Sequence, residues 1–433
     1  MEFIPYSPQE NSLDAFLNRD EDGSFYLGHA AVLVRINKKN YLIDAVYPRP
    51  LFLDSWLFFP ELIVDRRLLS VEGVFISHCH EDHYDINFLK DLKPGTPIYI
   101  TENRIGFEKI VNDNSFHVIE IPPFEKYSIN NDVDVLAIPS DHNNFDSSFV
   151  VKGKNFSVFQ GNDNFLDEKS IRKARDIIGP VDHAYIPYSY VWWYPYCLAS
   201  ISDTMRKQEA ARLTENNMRI GLSMAEIFEA SLVIPSAGNL VFYENENSIL
   251  NREIASPFDF VDYARSINTS VGEKTLPLFS GDYALKHGKK SFIYTKNKTR
   301  NDFFIEMDIF LKGMQSKTLD KKEVNLSNIS ILKIKEKLYK LNLQKYPFDI
   351  FFYPNNKKEI SLQVSLRDFG LDIVKTPELY INSMQFSIEP SAFLSWINLQ
   401  ISFESILNSQ RFLVYRSPEE FNKEIWDLLR NHF

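Results

Sequence analysis

The stretch Val74–Asp85 (VFISHCHEDHYD) limits what this chain can become more than any other part of it. An apolar strand reaching Ser77 delivers His78, His80 and His83, together with Glu81 and Asp82, in one short run. Crowding so many titratable groups is costly through desolvation and repulsion unless a cation is shared among them. His78 and His80 stand two apart, so in an extended segment they project to one side. A turn after them can bring Asp82 and His83 round to face them. Neutral imidazole and carboxylate are donors suited to zinc, iron or manganese. The same alternation turns Cys79 away from its flanking histidines, as a buried thiol rather than a reactive one.

Composition narrows the remaining classes. At 433 residues the chain exceeds the usual size of one hydrophobic core, which predicts two domains. With 44% hydrophobic and 24% charged residues it reads as globular. A net charge of −10 argues against a nucleic-acid partner, which needs a basic surface. The local basic group Lys289, Lys290, Lys296, Lys298 and Arg300 reads as a solvated hairpin. Two cysteines, Cys79 and Cys197, exclude both a disulfide framework and paired CxxC zinc sites. The acidic segment Met1–Asp22, broken by Pro5 and Pro8, lacks the features of a secretory signal. No apolar run is long enough to span a membrane, and the simplest expectation is a cytoplasmic protein.

The first half alternates strands and helices. Ser24–Val34, Asn40–Val46, Gly73–Ser77, Pro97–Ile100, Val133–Ile138, Ser148–Val151 and Phe156–Gln160 read as strands. Helices are expected over Leu166–Ile178 and Asp203–Glu215, with Ser223 capping a third. This order predicts two packed sheets with helices outside. The pattern that carries the motifs stops between Tyr243 and Glu273, so domains are expected at 1–250 and 251–433. The second holds pieces such as Ile329–Leu343 and Glu359–Leu366. Beyond Asp302 its only histidine is His432, and a structural or substrate-shaping role is expected.

The HxHxDH pattern after a hydrophobic strand resembles the signature of the metallo-β-lactamase superfamily, whose fold is a four-layer αββα sandwich. Further similarities follow across Ser24 to Asp203. YLGHAAVLV resembles the strand bearing Gly28–His29–Ala30 in the lactonase and phospholipase D branches. YLIDAVY resembles the next strand, whose acid, here Asp44, supports the histidine loop from behind. IPSDHNNFDSSFVV resembles the segment with the third metal histidine, which would be His142. FSVFQGNDN resembles the strand ending in a bridging carboxylate, which would be Asp163. The resemblance implies two divalent metal ions. His78, His80 and His142 would hold one, Asp82 and His83 the other, with Asp163 between them. His29 is either a buried, hydrogen-bonded histidine or a second support for the site. His183, in VDHAYIP, reads as structural.

One part departs from that pattern. The superfamily supplies a last histidine late in the domain, and the corresponding position here holds Asp203, either an oxygen ligand or a helix N-cap. A closer resemblance, to the metallo-β-lactamase part of the CMP-N-acetylneuraminate hydroxylases, runs through DSSF, ND and IPSAGNLVF. It extends to the C-terminal run FLSWINLQISFESILNSQRFLVYRSPEEFNKEIWDLL. Those enzymes carry a Rieske module of paired Cys and His, which has no counterpart among these residues.

Two chemistries follow. The first is a metal-dependent hydrolase, with zinc as the expected metal, in which a metal-activated water attacks a carbonyl or phosphoryl centre and Asp82 and His142 stand in catalytic positions. The alternative is a diiron oxygenase that needs an external electron-transfer partner. In either case a small-molecule substrate is expected. Trp192, Trp193 and Tyr194 are either pocket rim or core. The apolar segment Pro50–Val64 reads as a core helix, a pocket lid or a contact for a second subunit. Arg49, Arg66 and Arg67 are the cations a nucleotide sugar would require.

Overall fold

A computed structural model describes residues 1–5, 12–243, 248–315, 349–354, 361–365, 371–374, 383–398 and 400–417. The piece Ile329–Leu343 and His432 lie outside these residues, and of Glu359–Leu366 the part Ser361–Ser365 is a strand.

Two sheets face each other. The larger has nine strands in the spatial order Glu2–Pro5, Lys290–Thr295, Tyr283–His287, Gly23–Gly28, Ala31–Ile36, Lys39–Ile43, Gly73–Phe75, Pro97–Thr101 and His117–Ile121. The smaller has six, in the order Leu232–Ser236, His183–Pro187, Ser157–Gln160, Ser147–Lys152, Val133–Pro139 and Lys126–Asn130. Period-2 alternation divides the larger sheet's side chains between two cores. Tyr26, Val32 and Val34 face Val135, Ala137 and Phe149 of the smaller sheet. Phe25, Leu33 and Leu42 point outward, onto Leu13 and Phe16 of helix Ser12–Leu17 and Phe88 and Leu89 of helix Ile86–Asp91. On the other side Glu168–Ile178, Asp203–Ile227 and Pro257–Ile267 cover the smaller sheet. The architecture is a four-layer αββα sandwich.

The sequence reading needs correction in three places. Ser24–Val34 is not one strand but a hairpin, Gly23–Gly28 and Ala31–Ile36. Gly28 at φ 123° and His29 at φ 51° make the turn, and because both strands are buried on both faces only this Gly–His pair interrupts the apolar run. Ser223 caps nothing: Asp203–Ile227 is a single helix of 25 residues capped by Ser202. Its Gly221 allows the helix to approach the sheet, where a Cβ would stand 2.6 Å from the Pro187 carbonyl. The division expected at residue 250 also falls inside the sandwich, because Tyr283–His287 pairs with Gly23–Gly28 and Lys290–Thr295 extends the larger sheet beyond it.

A second unit follows. Five strands, Leu371–Val374, Ser361–Ser365, Asp349–Pro354, Ser383–Ile388 and Phe412–Ser417, form a separate sheet. Helices Pro390–Ile397 and Phe403–Ser409 pack on it through Phe393, Trp396, Phe403 and Ile406. Its core also takes in Trp193, Cys197 and Leu198 of the sandwich. Backbone bonds from Val414 N to Cys197 O (2.8 Å) and from Ala199 N to Val414 O (3.0 Å) join the two units.

Candidate metal centre

Parallel strands bring the chemistry to one edge. Lys39–Ile43 and Gly73–Phe75 run side by side, so the residues just after each, Asp44 and Ser77–His83, leave the sheet together. Asp44, held at φ 50°, receives Ser77 N at 2.8 Å, Ser77 Oγ at 2.6 Å and His83 Nδ1 at 2.9 Å. Its carboxylate anchors both ends of the histidine loop. In the facing sheet, Ser157–Gln160 ends just before Asp163, and Val133–Pro139 before the turn Ser140–Asp146.

The imidazoles have inner and outer nitrogens. The outer ones are engaged: His78 Nδ1 lies 2.9 Å from Ser77 Oγ, His83 Nδ1 meets Asp44, and His80 Nε2 stands 3.5 Å from Glu404 Oε1. The inner ones converge. His78 Nε2 is 2.8 Å from His80 Nδ1 and 4.0 Å from Asp163 Oδ2, and His83 Nε2 is 3.3 Å from the same oxygen. Asp82 Oδ2 lies 3.4 Å from His83 Nε2 and accepts from His29 Nε2 at 2.9 Å. Two donor sets result, His78–His80–Asp163 and His29–His83–Asp163, each within 4.8 Å.

This cluster fits a cation. His83 Nε2, Asp82 Oδ1 and Asp146 Oδ1 are buried with no hydrogen-bond partner, a costly arrangement for polar atoms without an ion. Burial, reinforced by His83 and His80, holds His78 well below the usual imidazole range. Burial also opposes charge on His83, but Asp163 and Asp82 outweigh it and hold His83 well above that range. The carboxylates therefore demand positive charge at the centre of the cluster, which a bound divalent ion would supply.

Several expected site residues lie elsewhere. His142 is exposed on the turn, and its backbone N–H donates to Ser140 Oγ at 3.2 Å. It borders the cavity but is absent from both donor sets. Asn143 is the cause: its Oδ1 accepts from the backbone N–H of Phe145 and of Asp146, and this turn buries Asp146 instead. Asp146 Oδ1 stands 3.4 Å from His78 Nδ1, and burial pushes its carboxyl up to about 6. Asp203 is 93% exposed on the first helical turn, 3.7 Å from Arg206, and is neither in a donor set nor the cap. Trp193 is buried in the C-terminal core, and Tyr194 donates to Glu209 rather than facing the cavity. Of the three aromatic candidates only Trp192 lines it. Cys79 packs under Gly106, and burial raises its thiol to about 12.

The donors open into a cavity of about 450 Å³. Phe52, Trp56, Phe145, Phe165 and Trp192 form its apolar walls, and Asn143, Asn217 and Asn408 offer amides. Phe52 and Trp56 come from Pro50–Val64, which is not a helix but a turn and the short strand Trp56–Phe58, paired with Leu240–Phe242. No Lys or Arg lines the cavity among the described residues. Arg49 pairs with Glu81 and Asp85, and Arg67 with Asp65 and Asp14.

The αββα layers with a His/Asp cluster at one sheet edge define a metal-binding sandwich. Residues 26–99 match the metallo-beta-lactamase superfamily, and the chain carries a domain of that kind. Over 246 residues, 53% of this chain and 46% of the relative, it is 27% identical to a protein of Mycolicibacterium smegmatis described as a Rieske 2Fe-2S iron-sulfur protein. Over 101 residues, 22% of this chain and 16% of the relative, it is 32% identical to the cytidine monophosphate-N-acetylneuraminic acid hydroxylase of Macaca mulatta. The chain thus matches less than half the length of either. Among solved structures, CmlA, a diiron beta-hydroxylase from Streptomyces venezuelae, is 18% identical, with 51% of this chain and 45% of that one covered at a TM-score of 0.35. Igni18, a metallo hydrolase from Ignicoccus hospitalis, is 13% identical, with 61% and 98% covered at 0.40.

Proposed function

We propose that the cavity is the active site of a dinuclear metal-dependent hydrolase. The observation that carries this reading is the convergence of His78 Nε2, His80 Nδ1 and His83 Nε2 on Asp163, with every outer nitrogen engaged. His78, His80 and Asp163 would hold one ion, with Asp146 behind His78 at its Nδ1, and His83 and Asp163, with Asp82 beside them, the other. Divalent ions there would supply Lewis acidity and bring the pKa of a bound water to about 7.

The chain's own groups do the rest. Asp82, fixed by His29, orients donors at the cavity floor and can accept a proton at Oδ1. The aromatic walls exclude water and hold the body of a substrate, while the amides orient its polar end. Without a wall cation, a nucleotide or other polyanion would have to be held by the metals alone. A neutral ester, amide or lactone with an apolar or aromatic acyl group fits better.

A second reading, a diiron oxygenase, is favoured by the donor chemistry. Asp163 is common to both donor sets and Asp82 adjoins His83, and a share of carboxylate oxygen in the set suits iron or manganese as well as zinc. The names of the two curated relatives point the same way, and an external reductant would then be required.

Protein purified without added metal tests both. About two zinc ions with turnover of aryl esters or lactones, and no oxygen uptake, upholds the hydrolase. Two irons, charge-transfer bands that bleach on reduction, and oxygen consumption would replace it with the oxygenase.

A further inference from the structure

We infer that the C-terminal unit is a working part of the metal centre, with Glu404 as the positioning residue that sets the orientation of His80. This rests on the metal-centre reading above and assigns a role to residues outside the sandwich.

The argument begins with how the three imidazoles are held. A histidine that donates a lone pair to a metal from one nitrogen keeps its proton on the other, and the acceptor of that proton fixes both tautomer and ring angle. His78 finds its outer partner next door, in Ser77 Oγ at 2.9 Å. His83 finds one on the adjacent strand end, in Asp44 Oδ2 at 2.9 Å. For His80 the corresponding carboxylate is Glu404, with Oε1 3.5 Å from Nε2. It comes from more than 300 residues further along the chain, on a helix packed against a different sheet. With the Nε2 proton directed at Glu404, Nδ1 faces His78 Nε2 and the cluster.

The placement of Glu404 is built in several ways. Its helix, Phe403–Ser409, buries Phe403, Ile406 and Leu407 in the core that also contains Trp193 and Cys197 of the sandwich. The opposite side of that helix presents Glu404 and Asn408 to the cavity. The neighbouring Ser405 donates from Oγ to Glu81 Oε1 at 3.0 Å, so the helix is tied to the histidine loop itself. Glu81 in turn accepts from Phe52 N at 3.1 Å, on the cavity wall. Glu404 is only 9% exposed, and a buried carboxylate is retained at such a position only where it is paired.

The test uses the full chain, stripped with a chelator and titrated with Zn²⁺ alone by calorimetry. Melting temperatures are recorded for the metal-free proteins. Glu404→Ala is expected to weaken one of the two zinc ions by roughly 10–100-fold. The second ion and the metal-free melting temperature should stay at wild-type values. Glu404→Gln keeps a carbonyl acceptor and should fall between wild type and alanine. Ser405→Ala loosens the same interface without touching His80 and should leave both affinities unchanged. Wild-type affinity for both ions in Glu404→Ala would overturn the inference. Equal weakening by Ser405→Ala would overturn it too, by showing that the interface and not the carboxylate matters. A wild-type chain that takes up no zinc or other divalent ion would instead remove the metal-centre reading on which it rests.

Discussion

Two groups of buried histidine lie in this sandwich, and they differ in one respect that separates structure from chemistry. His183 sits between the sheets with both nitrogens engaged, Nδ1 2.8 Å from Ser24 Oγ and Nε2 3.2 Å from Ser291 Oγ. Tyr185 donates to the same Ser24 hydroxyl at 2.9 Å, so the two sheets are joined by a closed polar network. In the other group His78 Nε2 and His80 Nδ1 face each other at 2.8 Å, and the buried Nε2 of His83 is left open toward Asp163 while its Nδ1 is held by Asp44. The first arrangement is complete as it stands. The second is complete only with something added. Burial alone therefore does not mark a functional histidine; an unpartnered inner nitrogen does.

The comparison breaks most readily at Asp163. Asp163→Ala removes the carboxylate common to both donor sets, and metal analysis is expected to find less than one ion per chain instead of two. The metal-free stability should change by less than about 1 kcal/mol, since Asp163 is not a core contact. Two retained ions would sink the assignment.

His183→Ala should give the opposite signature. Loss of the ring leaves two buried hydroxyls and a cavity, costing about 2–4 kcal/mol in denaturant unfolding, with metal content unchanged. Loss of metal in that variant would mean that the two groups are not separable.

The same histidine sharpens the contrast in its pH response. Burial lowers His183 to about 3, so it stays neutral in the fold while the unfolded chain takes up a proton below about 6.5. Between those limits the unfolded state binds more protons, and stability falls as the pH drops, by up to roughly 1.4 kcal/mol per unit from this group. The slope should flatten in His183→Gln. A wild-type slope in that variant would assign the effect to other groups.

A finer distinction concerns the turn at Ser140–Asp146. Asp146→Asn should weaken metal binding by roughly 10-fold, whereas His142→Ala should leave it unchanged. The reverse order in a zinc titration would restore His142 to the role that the sequence suggests.

That turn also shows where sequence reasoning loses its hold. The histidine loop is legible because its donors are close neighbours and follow a strand whose alternation is plain. Asp44 and Asp163 come from the resemblance of YLIDAVY and FSVFQGNDN to strands of the metallo-β-lactamase superfamily. His142 and Asp146 are four residues apart in one turn, and only the Asn143 side-chain bonds decide which of them turns inward. Asn at that position, followed by two backbone donors within reach, was the available signal. The aromatic run Tyr188–Ser202 is ambiguous for another reason. Trp192 and Trp193 are adjacent, and their separation into cavity wall and core depends on a C-terminal sheet packed against them. Glu404 has no local signal at all, because a single acid on a short helix resembles any surface glutamate until tertiary contact places it.

The contact between that glutamate and His80 has a consequence for synthesis. Its companion bond, Ser405 to Glu81, spans 324 residues. At translation rates of about 5–20 residues per second, roughly 16–65 s pass between the emergence of the histidine loop and that of its last neighbour. During that interval Asp163 and then the sandwich strands up to Thr295 are made, and the C-terminal wall comes last. The histidine loop therefore acquires its C-terminal neighbour only after residue 405 has been made, long after the loop itself.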